Sequence, residues 1–146
     1  MNEVPVFKLD GYLLSLRRLS GNKSDFWAEI VDIEGDVENS FCSQMKEREI
    51  ELNRKEYVGY KEIEIYLETQ LNEKLNLSEG SLVNMFVWDI VEFLQQAFSV
   101  NELEYDPIRL KESFLIMAMS EFHGNFHYIV VPFKGKAIAM GMVNRS

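Results

Sequence analysis

The chain has 146 residues, of which 47% are hydrophobic and 27% are charged, and its formal net charge is −9 at pH 7. These values predict one folded domain over residues 1–146 and exclude a disordered chain, a nucleic-acid-binding protein and a protein of anionic membrane surfaces. No stretch reaches the roughly 18 consecutive apolar residues of a membrane span. The first residues lack the features of a signal peptide, and Cys42 is the only cysteine. We therefore expect a cytoplasmic, reducing location without disulfides.

The first third of the chain has two apolar segments around a turn signal. Val4–Leu9 and Tyr12–Leu19 flank Asp10–Gly11, a dipeptide that is typical of two-residue β-hairpin turns. Phe26–Ile33 is rich in β-branched and aromatic residues, and its pattern continues through Val37 with a bulge at the intervening glycine. The sequence thus predicts three antiparallel strands in this region.

The middle of the chain is harder to assign. Within Ser40–Asn76 the apolar residues alternate as in a strand and also recur every four residues as on a helix. We favour a helix over Lys61–Leu75 and keep a strand as the alternative. Leu82–Phe98 is the clearest helix, because it is apolar over most of its circumference, and Ser81 is its expected N-cap. A shorter alternative begins this helix at Asp89, after a strand.

The end of the chain predicts a three-stranded antiparallel meander. Its strands are Phe114–Phe122, Phe126–Phe133 and Lys136–Val143, separated by turn residues and apolar at most positions. Gly141 indicates a bulge or a close approach by another element. The predicted fold class is α+β, with an antiparallel sheet built from N- and C-terminal strands and packed on one main buried helix, Leu82–Phe98.

Four acidic residues alternate with uncharged ones after the third predicted strand. If this segment is extended, the period of two places all four carboxylates on one face. Such a face is either a surface for a basic partner or a solvated sheet edge that resists aggregation. Tyr57 and Tyr60 lie in a polar stretch and are candidate anchors of the same interface. The four acidic residues are Asp32, Glu34, Asp36 and Glu38.

A second, weaker candidate site lies around the first C-terminal turn. With a three-residue loop, Glu121 lies opposite His127, and His123 is in the turn. A carboxylate beside an imidazole can act as a general base or bind a metal. A turn histidine and a cross-strand ion pair are the commoner interpretation, so we assign no catalytic residue, no metal and no cofactor.

A third hypothesis is a homodimer in which Lys136–Val143 is an edge strand that pairs across a two-fold axis.

The C-terminal half resembles a known class of proteins. The apolar run Phe86–Leu94 leads into an amphipathic helix, and the hairpin Phe114–Phe133 follows. This order of elements is loosely similar to that of the WapI-type immunity families, among the small acidic immunity proteins of bacterial toxin–immunity systems. The resemblance implies a tight one-to-one complex with a toxin domain, bound through an acidic surface. The sequence thus predicts a non-catalytic protein that binds a basic partner. The alternatives are a small enzyme or ligand-binding domain that uses Glu121 and His127, and a homo-oligomeric subunit.

Overall fold

The computed structural model describes residues 2–75, 80–101, 114–119, 126–133 and 135–144. These ranges contain four helices and five strands. In chain order they are α1 (Val4–Leu19), β1 (Ser24–Asp32), α2 (Val37–Glu47), β2 (Arg54–Val58), α3 (Tyr60–Leu75), α4 (Gly80–Asn101), β3 (Phe114–Ala118), β4 (His127–Phe133) and β5 (Lys136–Asn144). None of the helices in this described part of the chain has the length and apolar character that crossing a bilayer requires.

The five strands form one antiparallel sheet in the order β1-β5-β4-β3-β2. The longest pairing joins the two ends of the chain, from Ser24 opposite Asn144 to Asp32 opposite Lys136. The α+β class, the sheet drawn from both ends of the chain and the C-terminal meander are therefore confirmed. The strand Lys136–Val143, however, is not an edge. It is hydrogen-bonded on both sides, by β1 and β4, so the predicted pairing across a two-fold axis through this strand is wrong.

Helices cover both faces of the sheet. On one face, α1, α3 and α4 share a core with strand residues such as Ile116, Ile129 and Met140. On the other face, α2 packs through Phe41 and Met45 against side chains of β1, β3, β4 and β5. Alternate residues of the inner strands enter the two cores, which explains why these strands are almost continuously apolar. The buried helix at Leu82–Phe98 is one of three on its face.

The predicted N-terminal hairpin is wrong, because Val4–Leu19 forms the single helix α1. Its apolar residues at spacings of three and four form one buried stripe, made of Val6, Leu9, Leu13 and Leu16. The turn dipeptide lies inside the helix, where Asp10 has a tertiary role. Its Oδ1 accepts a hydrogen bond of 2.9 Å from the backbone N–H of Ala28 on edge strand β1. The helix thus covers one exposed edge of the sheet.

The central predictions have mixed outcomes. The helix favoured over Lys61–Leu75 is confirmed as α3, and the clearest helix, Leu82–Phe98, lies within α4. Because α4 begins at Gly80, Ser81 is a helical residue and not the N-cap, and the shorter helix from Asp89 is wrong. A close approach at Gly141 is confirmed: it lies opposite Trp27, and a Cβ there would overlap the six-membered ring of that indole.

Candidate functional site

The four acidic residues predicted to share one strand face do not form a stripe. Asp32 is the last residue of β1, and the chain then turns at Gly35, whose φ is 73°. Asp36 is the N-cap of α2, and its carboxylate accepts a hydrogen bond of 3.0 Å from the backbone N–H of Asn39. Glu38 lies in the first helical turn. The predicted continuation of the strand through Val37 is therefore wrong, because the acidic segment starts a helix.

Asp32 differs from the other three acidic residues because a close ion pair neutralises its charge. Its Oδ1 lies 2.7 Å from Nζ of Lys136, the residue opposite it on β5. The hydrogen bond and charge of Asp32 raise the pKa of Lys136, with a smaller contribution from Glu3. Because its charge is already paired, Asp32 contributes little to the attraction of a partner.

Two of the remaining acidic residues, Asp36 and Glu38, lie near one of the two predicted tyrosines, and Glu34 precedes them in the turn before α2. Tyr57, on edge strand β2, is 51% exposed. Partial burial raises the pKa of Tyr57, and so do the charges of Glu38 and Asp36 and a hydrogen bond with Glu38. Lys55 Nζ lies 3.9 Å from Glu38 Oε2 and offsets part of the negative charge. We call Glu34, Asp36, Glu38 and Tyr57 the acidic–tyrosine surface.

Tyr60 does not belong to this surface. It begins α3 and packs against the core that α1, α3 and α4 share. Tyr57, by contrast, pairs with Leu115, whose side chain enters the core on the α2 side. The two predicted anchors therefore lie on different sides of the sheet.

The predicted pairing of Glu121 with His127 is wrong. His127 lies opposite Ala118, the last residue of β3. The N–H of Met119 donates a hydrogen bond of 3.0 Å to the carbonyl of Phe126. The predicted three-residue loop would instead place Phe126 opposite the residue three positions after Met119. Glu121 and His123 lie outside the described residues.

His127 is part of a polar cluster between β4 and α3. Its Nδ1 is hydrogen-bonded to the hydroxyl of Tyr66. Nearby on α3, the side chains of Lys74 and Gln70 are each only 7% exposed, and Lys74 Nζ donates to Gln70 Oε1 at 3.1 Å. Burial, the charge of Lys74 and the charge of Arg54 lower the pKa of His127 to about 4, against a smaller opposing effect of Glu73. We call Tyr66, Gln70, Lys74 and His127 the histidine cluster.

The electrostatics of the histidine cluster favour neutral groups. Burial raises the pKa of Tyr66 and is the main cause that lowers the pKa of Lys74. At neutral pH the imidazole is therefore uncharged and the phenol protonated. A general base works best with a pKa near the working pH, and a value of about 4 makes this ring a weak proton acceptor. Within the described ranges, no three histidine, cysteine or acidic side chains converge to hold a metal ion.

Lys74 and Gln70 were missed by the sequence analysis. Both lie on the buried side of α3, among Ile63, Leu67 and Leu71. The signal was present, because a polar residue at an apolar position of a helix face requires a partner. The two side chains bond each other, but their proximity to His127 could not be foreseen, because His127 is 53 residues beyond Lys74 in the chain.

Comparisons with models of known protein families, with curated proteins and with solved structures found no match to this chain.

Proposed function

We propose that this chain is a non-catalytic binding protein that receives a basic protein on its acidic–tyrosine surface. The observation that carries the proposal is Tyr57, a half-exposed aromatic side chain held beside the carboxylates of Glu38 and Asp36. Tyrosine is enriched among the residues that dominate binding energy. Surrounding carboxylates accelerate association with a positively charged protein and disfavour acidic competitors.

The proposed surface is held in place from both ends of α2. At the N-terminus, Asp36 caps the helix. At the C-terminus, the guanidinium of Arg48 forms two hydrogen bonds with the carboxylate of Glu29 on β1, at 2.7 and 3.1 Å. A partner would therefore bind a fixed arrangement of charges and would not have to order it, which lowers the entropic cost of association.

The class of partner follows from charge and from the resemblance of the C-terminal half. The net charge of −9 favours a basic protein. The resemblance to bacterial immunity proteins suggests that this protein is a toxin domain, neutralised in a one-to-one complex. We include a cytoplasmic location in the same proposal.

The experiment compares three forms of the full chain as baits in lysate of the native host, with bound proteins identified by mass spectrometry. The first is the wild-type chain. The second carries Tyr57→Ala with Glu34→Lys and Glu38→Lys, which leaves the Asp36 cap intact. The third carries Glu62→Lys and Glu68→Lys, two exposed positions of α3 on the opposite side of the sheet, and has the same change in charge.

The proposal predicts one stoichiometric basic protein on the wild-type and α3-variant baits, and its loss from the acidic–tyrosine variant. Titration calorimetry with that protein should then show that Tyr57→Ala alone weakens binding at least about thirtyfold, as expected for a residue that dominates an interface. Equal capture by all three baits, or loss with both variants, would contradict the proposed surface.

A further inference from the structure

A groove lies between α1 and α4, on the face of the sheet opposite the acidic–tyrosine surface. It is an open cavity of about 330 Å³, within the size range of sites that hold small ligands or single side chains. Its lining consists of two aromatic rings, two carboxylates and one amide. The lining residues are Tyr12, Asp89, Glu92, Phe93 and Gln96.

The geometry of the groove is set by contacts between the two helices. The Tyr12 hydroxyl donates a hydrogen bond of 2.8 Å to Asp89 Oδ2, which fixes that carboxylate, and no donor among the described residues bonds its second oxygen. The rings of Tyr12 and Phe93 lie 5.5 Å apart at 53° to each other. In the described part of the chain, no lysine or arginine forms an ion pair with Asp89 or Glu92.

We propose that this groove binds the guanidinium group of an arginine side chain that a partner protein presents. Carboxylates beside aromatic faces provide the two interactions that a guanidinium makes best, namely charge-assisted hydrogen bonds and stacking. Arginine suits the groove better than lysine, because its planar group is more weakly hydrated and can contact a ring and a carboxylate together. The groove shares no residue with the acidic–tyrosine surface.

The surroundings of the groove favour a protein as the source of the arginine. Met85 and Trp88 lie one helical turn before Asp89 and Glu92, so they extend the same side of α4. They are 51% and 69% exposed. An exposed tryptophan next to a charged groove suits the apolar neighbours of an arginine in a polypeptide, because Trp and Arg are both enriched at the centres of interfaces.

The experiment is a titration of the isotope-labelled full chain with blocked tripeptides, followed by nuclear magnetic resonance. The first probe is acetyl-Leu-Arg-Leu-amide, and its control contains citrulline, which has nearly the shape of arginine without the charge. The second probe is acetyl-Gly-Arg-Gly-amide. We expect the arginine peptides to shift the signals of Tyr12, Asp89 and Phe93, and the citrulline peptide to bind at least about fivefold more weakly.

Isosteric variants identify the groups responsible. Asp89→Asn can still accept the Tyr12 hydrogen bond. This variant and Glu92→Gln should each lower the affinity for the arginine peptides roughly two- to fivefold. Glu68→Gln on α3 has the same change in charge and should have no effect. Trp88→Ala should lower the affinity for the leucine-containing arginine peptide and leave that for the glycine-containing peptide unchanged.

Three results would overturn the proposal. The first is equal binding of arginine and citrulline peptides, or no binding of either. The second is an equal effect of Glu68→Gln and Glu92→Gln on peptide affinity, which would show that the peptides respond to the net charge of the protein and not to the groove. The third is an unchanged affinity of Trp88→Ala for the leucine-containing peptide, which would remove the reason to choose a polypeptide.

Discussion

Replacing His127 by glutamine should make the protein less sensitive to acid. In the folded state the pKa of His127 is lowered from 6.5 to about 4, first by burial and then by the charge of Lys74. The unfolded chain therefore binds a proton below about pH 6.5 that the folded chain does not, and the free energy of unfolding falls as the pH falls. With about 1.36 kcal/mol for each unit between the two pKa values, the full loss below pH 4 is at most about 3 kcal/mol, because solvent screens part of the effect at this half-buried ring. Between about pH 7.5 and pH 5 it is at most about 2 kcal/mol.

The assay is urea unfolding of both proteins at several pH values from about 7.5 to 5, and the quantity of interest is the difference between their free energies of unfolding. All other groups are the same in both proteins, so their contributions cancel in this difference. Tyr66→Phe is the matched control. It removes the hydrogen bond to the imidazole but leaves the ring buried near Lys74, so stability should fall while the pH dependence is retained. A wild-type-minus-variant difference that stays constant over this range would refute a lowered pKa at His127.

Three further substitutions test the fold, each by urea unfolding followed by circular dichroism. Gly141→Ala should destabilise the protein by about 1–3 kcal/mol, because its Cβ would overlap the Trp27 ring; an unchanged midpoint would mean that the indole can move away. Asp36→Ala should cost about 1 kcal/mol through loss of the α2 cap, whereas Asp36→Asn should cost much less. Phe41→Ala should cost about 3–5 kcal/mol, because this fully buried ring packs between α2 and the sheet; a loss below about 1 kcal/mol would show that the ring contributes little to the packing of α2.

Helices and strands with a long, one-sided or continuous apolar pattern could be predicted from the sequence. The buried side of α4 is apolar because it contacts α1, α3 and the sheet, and the exposed Leu82, Met85 and Trp88 extend the apolar pattern around the rest of the helix. The C-terminal strands are apolar on both faces because helices cover both. In these segments local preference and tertiary burial favour the same structure, so the pattern alone is sufficient.

The N-terminal helix shows how a local turn signal can mislead. Asp10–Gly11 is typical of a hairpin, but one glycine inside a helix costs only about 1 kcal/mol. Complete burial of a single leucine contributes about 1.5–3 kcal/mol, and α1 buries Leu9, Leu13 and Leu16. The buried stripe therefore outweighs the dipeptide. The helical spacing of these leucines was visible in the sequence.

The acidic segment was misassigned because charge alternation has two structural causes. Alternating acids suit a half-exposed strand, but acids are also favoured at helix N-termini, where the backbone N–H groups lack partners. Asp36 satisfies one of these N–H groups, and the positive φ of Gly35 lets the chain turn into α2. This difference changes the candidate site, because Glu38 lies near Tyr57 only when the segment begins a helix and not when it continues the strand.

The sheet separates the two proposed binding surfaces, so their roles can be tested independently. The acidic–tyrosine surface belongs to α2 and β2, whereas the α1–α4 groove lies in the helical layer on the other face. A helix with its side chains is about 10–12 Å across, so the two surfaces are farther apart than the roughly 8 Å over which physiological salt screens a charge. Reversing Glu38 should therefore leave the affinity of the arginine peptides unchanged, and Glu92→Gln should leave the basic partner bound. Coupling between them would require a single partner that reaches around the edge of the sheet. The exposed edge is β2, which carries Tyr57, because α1 covers β1.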